Sequence, residues 1–494
     1  GLPEKLKRPP QPSPLNDPEG KPSGAGLRKK PTVGKRPGSV KRKKTAQLTI
    51  HQDVPLHLDG LPPETKFLGY RDFTVQDLRI ESFNTRYRRA RYRLPDGSFL
   101  TAPLPESVAS HFGHTLQAYV LYQHHHNQVT QPLLLEELGE FGMEISAGQI
   151  NRFLSEGHEA FHQEKDSLLP AAREVSSYLH TDDTSARHRG KGNHTLHIGN
   201  ELFASFFTTE TKSRVNFLKI LNSPFTDYVL NGDAMIYLEQ YDLPRKLMTL
   251  LKSESAGGVF ENDQAWEAQL ESWGITSKEQ RRLVTEAALW ASLISRGLYR
   301  DLTLISDDAA QFKVLGLLNA LCWIHCERHV ARLIALFDSE RAALDRARDA
   351  IWKYYQRLKK FRDSPTPHRR ERLEKQFDRL FQQKTGWEEL DEALRKMHVR
   401  KEPLLLVLDH PEIPLHNNLS ENDIRQYVKK RKISAGTRSD LGRRCRDTFL
   451  SLKTTCRKLG YRFWGYLLDR LQGVSNIPPL AEAIRSRATQ AGRT

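Results

Sequence analysis

The sequence holds only four cysteines among 494 residues. So few cannot staple a chain of this size, which excludes a disulfide framework and fits a reducing cytoplasm. Long apolar runs are missing too. The longest, Val314 to Ile324, is interrupted by Asn319, short of the roughly 18 residues a membrane-spanning helix needs. No secretory signal pattern opens the sequence, and no internal repeat is found. Acid is in deficit: 60 Asp and Glu stand against 76 Lys and Arg, a net charge of +16. Such an excess points first to a polyanionic partner. The length predicts about two to four domains.

The charge is concentrated. Residues 1–50 carry 13 Lys and Arg against three acids, and residues 425–446 carry nine against one. These blocks hold +10 and +8, leaving −2 for the rest of the chain. Residues 1–46 contain nine prolines and six glycines and almost no large apolar side chain, the composition of a disordered tail. That tail is either a solvated linker or a phosphate-tracking arm.

Residues 47–106 read as a small β-rich module. Phe73, Val75, Leu78 and Ile80 are spaced for strands, and Pro95-Asp96-Gly97 is a turn signal. Arg86, Arg88, Arg89, Arg91 and Arg93 form a basic face that either contacts DNA or is simply solvated. Residues 107–174 read as a helical connector, with a helix capped by Ser146 and a helix-turn-helix outline. Its would-be recognition helix offers only Arg152 as a base.

From 175 strands and helices alternate, which predicts an α/β layer fold. Strands are expected at Val175–Asp182, His194–Gly199, Phe203–Thr208, Asp301–Ser306 and Ala320–Trp323, and a helix at Arg214–Leu221. Helical stretches interrupt the alternation at about 224–300 and 338–400. In the first, Thr276 and Glu279 have capping-box spacing, and Leu283, Ala287, Trp290 and Ile294 share a face. In the second, Leu344, Ala347, Ile351, Tyr354, Leu358 and Phe361 step by three and four, as do Leu373, Phe377 and Leu380. These stripes read as core seams. Residues 476–494 read as a C-terminal tail.

Three acids stand out: Asp182 and Asp307, each closing an expected strand, and Glu421, opening an expected helix. Carboxylates at a sheet rim hold hard cations without being buried unpaired, and three that converge bind two magnesium ions. Two such ions serve in-line phosphodiester displacement. Singly, each acid is equally a turn or cap residue. Asn418 and Glu421 in particular fit a capping arrangement.

Four strings carry a resemblance. Asp182-Asp183-Thr184-Ser185-Ala186-Arg187 follows a strand, and Ser306-Asp307-Asp308 follows a later one. Cys322-Trp323-Ile324-His325 comes next. Asn417-Asn418-Leu419-Ser420-Glu421-Asn422-Asp423-Ile424-Arg425 then precedes a basic helix. In this order they resemble bacterial DDE transposases of the insertion-sequence 66 type, over about 107–475. Ser434-Ala435-Gly436 and Thr455-Cys456-Arg457 extend the likeness.

The resemblance implies an RNase H-like mixed sheet over 175–475, with Asp182, Asp307 and Glu421 as catalytic triad and ligands of two magnesium (or manganese) ions. It implies cleavage of double-stranded DNA at transposon ends and strand transfer to target DNA. A homo-oligomer on DNA, accessory proteins and a cytoplasmic, nucleoid-associated location go with it. A domesticated DNA-binding descendant, or a nuclease without strand transfer, is the alternative. The sequence departs from the family in lacking any cysteine before Cys322, and its interval from Asp182 to Asp307 is long.

Cys322 and His325 are then a structural pair beside the site, as the Cys-x-x-His of such enzymes is. Zinc held by Cys322, His325, Cys326 and His329 is the weaker reading, since these residues crowd into eight positions. His124-His125-His126 reads as a solvated loop or helix end. Arg425, Lys429, Lys430, Arg431, Lys432, Arg438, Arg443 and Arg444, just after Glu421, are the candidate DNA-phosphate contacts.

Overall fold

The fold was obtained as a computed structural model. It describes residues 49–60, 62, 65–106, 108, 110–254, 257–299 and 302–491. The expected tail 1–46 and Asp301 lie outside these. The chain divides into two units, residues 1–80 and 81–494.

In the first unit the described residues form no helix or strand. Phe73, Val75, Leu78 and Ile80 are exposed, and the strands expected there do not form. A local cluster joins His57, Phe67 and Tyr70, with the Tyr70 hydroxyl 3.1 Å from His57 Nε2.

The second unit opens with a hairpin, β1 (Arg91–Arg93) and β2 (Phe99–Thr101), around the Pro-Asp-Gly turn. This hairpin is what remains of the expected β-rich module. Its arginines are exposed, and Arg91 lies 4.2 Å over the Phe99 ring. Five helices follow: α1 (His114–His125), α2 (Gln131–Glu140), α3 (Ala147–Ser155), α4 (Glu159–Asp166) and α5 (Leu168–Val175). Ser146 caps α3 as expected, its hydroxyl accepting from Gln149 N.

The sheet comprises β3 (Tyr178–His188), β4 (Lys191–Gly199), β5 (Ala204–Thr209) and, after α6 (Arg214–Asn222) and an inserted lobe, β8 (Thr303–Ser306) and β9 (Leu318–Leu321). The lobe holds β6 (Tyr228–Leu230), α7 (Gly232–Leu238), α8 (Arg245–Glu254), β7 (Gly258–Phe260), α9 (Asp263–Ser272) and α10 (Lys278–Ser295). Sheet order is β5-β4-β3-β8-β9. The first three strands are antiparallel, and β8 and β9 add in parallel. The expected α/β layering is thus a mixed five-stranded sheet among many helices. Strand β3 runs six residues beyond the expected end at Asp182, because its antiparallel partner β4 continues to pair with it.

After β9 come α11 (Trp323–Ala331), then α12 (Asp338–Asp363), α13 (Pro367–Phe381) and α14 (Glu388–Val399), which form the second insertion. The chain then runs through α15 (Lys401–Leu405), α16 (Asn418–Ser434), α17 (Asp440–Lys458), α18 (Phe463–Gln472) and α19 (Leu480–Ala491). The segment read as a C-terminal tail is therefore largely helix, with Leu480, Ala483 and Ile484 buried. The insertion is held by the expected seam: Ile351, Tyr354, Leu358, Phe361, Leu373 and Phe377 are buried against Trp323. In the first lobe, α10 starts after Ser277 with no side-chain cap, and Glu279 pairs with Arg282 instead of completing a capping box.

The outer edge of β5 is closed by a helix. Asp447, Ser451 and Thr455 of α17 accept from the backbone N–H groups of Thr208 (2.7 Å), Phe206 (2.9 Å) and Ala204 (3.1 Å). Four helical residues rise about 6 Å and two strand residues about 6.6 Å, so the two repeats stay in step over three contacts.

Candidate active site

In the parallel pairing of β3 with β8, His180 lies opposite Ile305. Asp182 and Asp307 each stand two residues further on, so the same register brings the two carboxylates to adjacent positions. Strand β8 stops at Ser306. Asp182 keeps its β4 partner, His197, but has lost its β8 neighbour, which opens the sheet beside it. Burial pushes the Asp182 carboxyl up to about 7, and the negative charges of Asp307, Asp183 and Glu421 add to the rise against the Asp183 N–H.

The second aspartate of each pair is occupied elsewhere. Asp183 binds Lys212 at 2.8 Å and accepts from Gln311 at 2.6 Å. Asp308 binds Lys313 at 2.7 Å and also pairs with Arg400. Among the described residues, Asp182 and Asp307 form no ion pair. Each accepts a backbone N–H, from Asp183 and Ala309 respectively.

Glu421 lies in the first turns of α16. The capping alternative fails: the N-cap is Asn417, and its side chain caps nothing in the helix. Instead its Nδ2 donates to Thr181 O at 2.8 Å, and its Oδ1 lies 2.8 Å from His180 Nδ1. With Oδ1 the acceptor, His180 Nδ1 carries the proton. One turn on, Ser420 Oγ is 2.5 Å from His197 Nδ1. Asp423 Oδ2 is 3.3 Å from His197 Nε2 and 2.6 Å from Lys458. His197 Nδ1 and the Ser420 hydroxyl share a hydrogen bond, whereas His197 Nε2 and Asp423 Oδ2 are close without hydrogen-bond geometry. Both histidines are buried, and burial holds both below their ordinary pKa, His180 at about 3. Two buried histidines of the sheet thus meet α16 at 417, 420 and 423.

Sequence reasoning missed His180, His197, Ser420, Asp423 and Lys458 as parts of the site. The available signal was polar residues every three positions before a basic run, on the face that also carries Ile424 and Tyr427 into the core.

Cys322 and His325 lie where the site needs support. Cys322 N-caps α11, and its Sγ accepts from Asn417 N at 3.2 Å. His325 Nε2 is 3.5 Å from Glu421 Oε1. Arg328, one turn further, donates to the same oxygen at 3.3 Å. Burial pushes the Cys322 and Cys326 thiols up, to about 11 and about 12.

The basic block is divided. Arg425, Lys429, Lys432 and Arg438 are exposed. Arg443 and Arg444 face Asp440 (3.4 Å) and Glu159 (3.0 Å). Arg431 donates to Ser185 of β3. Lys430 departs from the expected phosphate contacts. It is buried, donates to His124 O at 2.8 Å, and burial lowers its pKa to about 7. It fastens the end of α1 instead of facing solvent. His124, His125 and His126 are accordingly half-buried at that helix end, not solvated. The loop after α16 is fixed to β3 as well: Thr437 N donates to Arg187 O at 2.9 Å. A Cβ on Gly436 would stand 2.5 Å from that same oxygen, so only glycine fits there.

No three His, Cys, Asp or Glu side chains among the described residues stand ready to hold a metal ion. Carboxylate oxygens are nonetheless the donor type that a hard divalent cation takes. The set here is all oxygen and part-buried, and among the described residues no cation pairs with Asp182 or Asp307.

The Transposase IS66 family model matches residues 289–444, which include Asp307, Cys322, His325 and Glu421. The uncharacterized protein y4jO of Sinorhizobium fredii is 40% identical over 325 residues, 65% of this chain and 100% of that protein. The chain belongs to the IS66 transposase family. Membership brings a nucleic-acid-processing role and DNA as partner. No helix among the described residues of this IS66-family member is long and apolar enough to cross a membrane.

Proposed function

We propose that this IS66-family chain is a metal-dependent DNA transposase. Its five-stranded sheet acts as an RNase H-like core, with Asp182, Asp307 and Glu421 as catalytic carboxylates. The main support is the strand register that sets Asp182 beside Asp307, with the Glu421 charge felt at Asp182. Magnesium or manganese ions, when bound, supply activation of the attacking oxygen and stabilisation of the leaving oxygen.

The chain's own residues prepare this. Asp182 ionises to become a ligand, Asp307 stands beside it, and the His180 and His197 contacts fix the helix that presents Glu421. Arg425, Lys429 and Lys432 hold backbone phosphates next to the cut without reading sequence. Synapsis of two ends requires more than one copy.

The test is magnesium-dependent strand cleavage of DNA carrying the element's ends. Asp182→Asn, Asp307→Asn and Glu421→Gln should each abolish it while leaving DNA binding intact. Wild-type cleavage by any one of them removes that residue from the triad. Pre-nicked ends should be joined to target DNA, and a nuclease without strand transfer would give no joined product.

A further inference from the structure

Glu421 is not free. Its Oε1 is shared by Arg328 at 3.3 Å and His325 at 3.5 Å, and Arg425 stands 4.0 Å from Oε2. Among the described residues, Asp182 and Asp307 have no such partners. The acidic site is thus assembled on two sides and blocked on the third. Arg328 is part-exposed on the last turn of α11 and pairs with no other carboxylate among the described residues. Its contact with Glu421 is through one nitrogen only. A guanidinium fork satisfies two oxygens at once, and a phosphate offers two in that geometry.

We propose that Arg328 is the phosphate-sensing residue of the site. In DNA-free protein it occupies Glu421. A DNA phosphate brought to the acids takes the guanidinium and releases the carboxylate to complete the cation site. The inference rests on the triad reading above. DNA and metal binding are then coupled through one side chain, and the coupling is reciprocal.

The experiment titrates the full chain with Mn²⁺ by electron paramagnetic resonance, with and without a short mixed-sequence DNA duplex. Without DNA, Arg328→Gln should bind Mn²⁺ more tightly than wild type, by about fivefold or more. Duplex DNA should tighten Mn²⁺ binding to wild type by a similar factor and leave Arg328→Gln unmoved. Glu421→Gln added to Arg328→Gln should erase the gain. Should Arg328→Gln fail to fold, Arg328→Lys, which keeps the charge without the fork, carries the same expectation at smaller size. Equal or weaker Mn²⁺ binding by the folded variant overturns the inference. Asp182→Asn separates the two levels. If it does not weaken Mn²⁺ binding, the triad reading itself falls. If it does while Arg328→Gln changes nothing, only the role of Arg328 falls.

Discussion

The insertion α12–α14 and the contact of α16 and α17 with the sheet are both helix packing, yet they are built from different materials. The insertion closes on rings and aliphatics. Phe377 and Phe381 lie 4.4 Å apart, and Trp323 sits 5.6 Å from Tyr354. The α16–α17 contact adds to a small apolar cluster of Phe206, Ile424, Tyr427 and Leu450 a set of polar pairs: His180–Asn417, His197–Ser420, His197–Asp423, Asp423–Lys458 and Thr208–Asp447. Apolar contact is non-directional and tolerates small shifts. Hydrogen-bonded pairs fail if they slip, because each buried partner is then unsatisfied. The polar contact is found on the helix that carries Glu421.

Breaking the apolar side should give the largest loss of stability. Phe377→Ala removes a fully buried ring and should cost about 3–5 kcal/mol in urea unfolding. Cleavage per folded molecule should stay near wild type. A loss of cleavage in the folded fraction would mean that the insertion also shapes the site. On the polar side, Asn417→Ala should cost about 1–3 kcal/mol. Cleavage should fall at least tenfold, since α16 loses its tie to β3. Equal losses of stability and activity by both variants would erase the comparison.

The acids sharpen it by pH. The Asp182 carboxyl is raised from 3.8 to about 7 in the fold. Between these values the folded chain binds the extra proton, so its stability falls as pH rises through that range. In chelator, Asp182→Asn should therefore melt higher than wild type at pH 8, and the gain should vanish near pH 4. Magnesium should raise the melting temperature of wild type and not of the variant. A gain that persists at pH 4 would mean that charge is not its cause. The smallest effect belongs to the exposed cations. Lys429→Gln with Lys432→Gln should leave stability within about 0.5 kcal/mol. The salt slope of DNA binding should become shallower, by up to two contacts' worth. An unchanged slope removes both lysines from the DNA surface.

Legibility in the sequence divides along the same line. The insertion seam was read from steps of three and four, because burial of apolar side chains imposes the helical period. The strands around Asp182 and Asp307 were found from apolar runs. The end of β3 was misplaced, because its last residues are held by β4 rather than by burial on both faces. The polar contact was not legible. His180 and Asn417 are 237 positions apart, and nothing in either local string marks the other. Lys430 and Lys429 are indistinguishable by charge, yet one is buried at a helix end and the other exposed. The strands expected at 73–80 failed for the opposite reason. The apolar spacing is there, but no partner strand meets it among the described residues.

The helix laid along β5 has a consequence for assembly. With the free N–H groups of Ala204, Phe206 and Thr208 already committed to α17, that edge offers no template to a second molecule. If copies gather on two DNA ends as proposed, they cannot join by prolonging the sheet there. Contact between such copies would fall elsewhere on the molecule or on the DNA itself, and the β5 edge of the sheet would keep its shape.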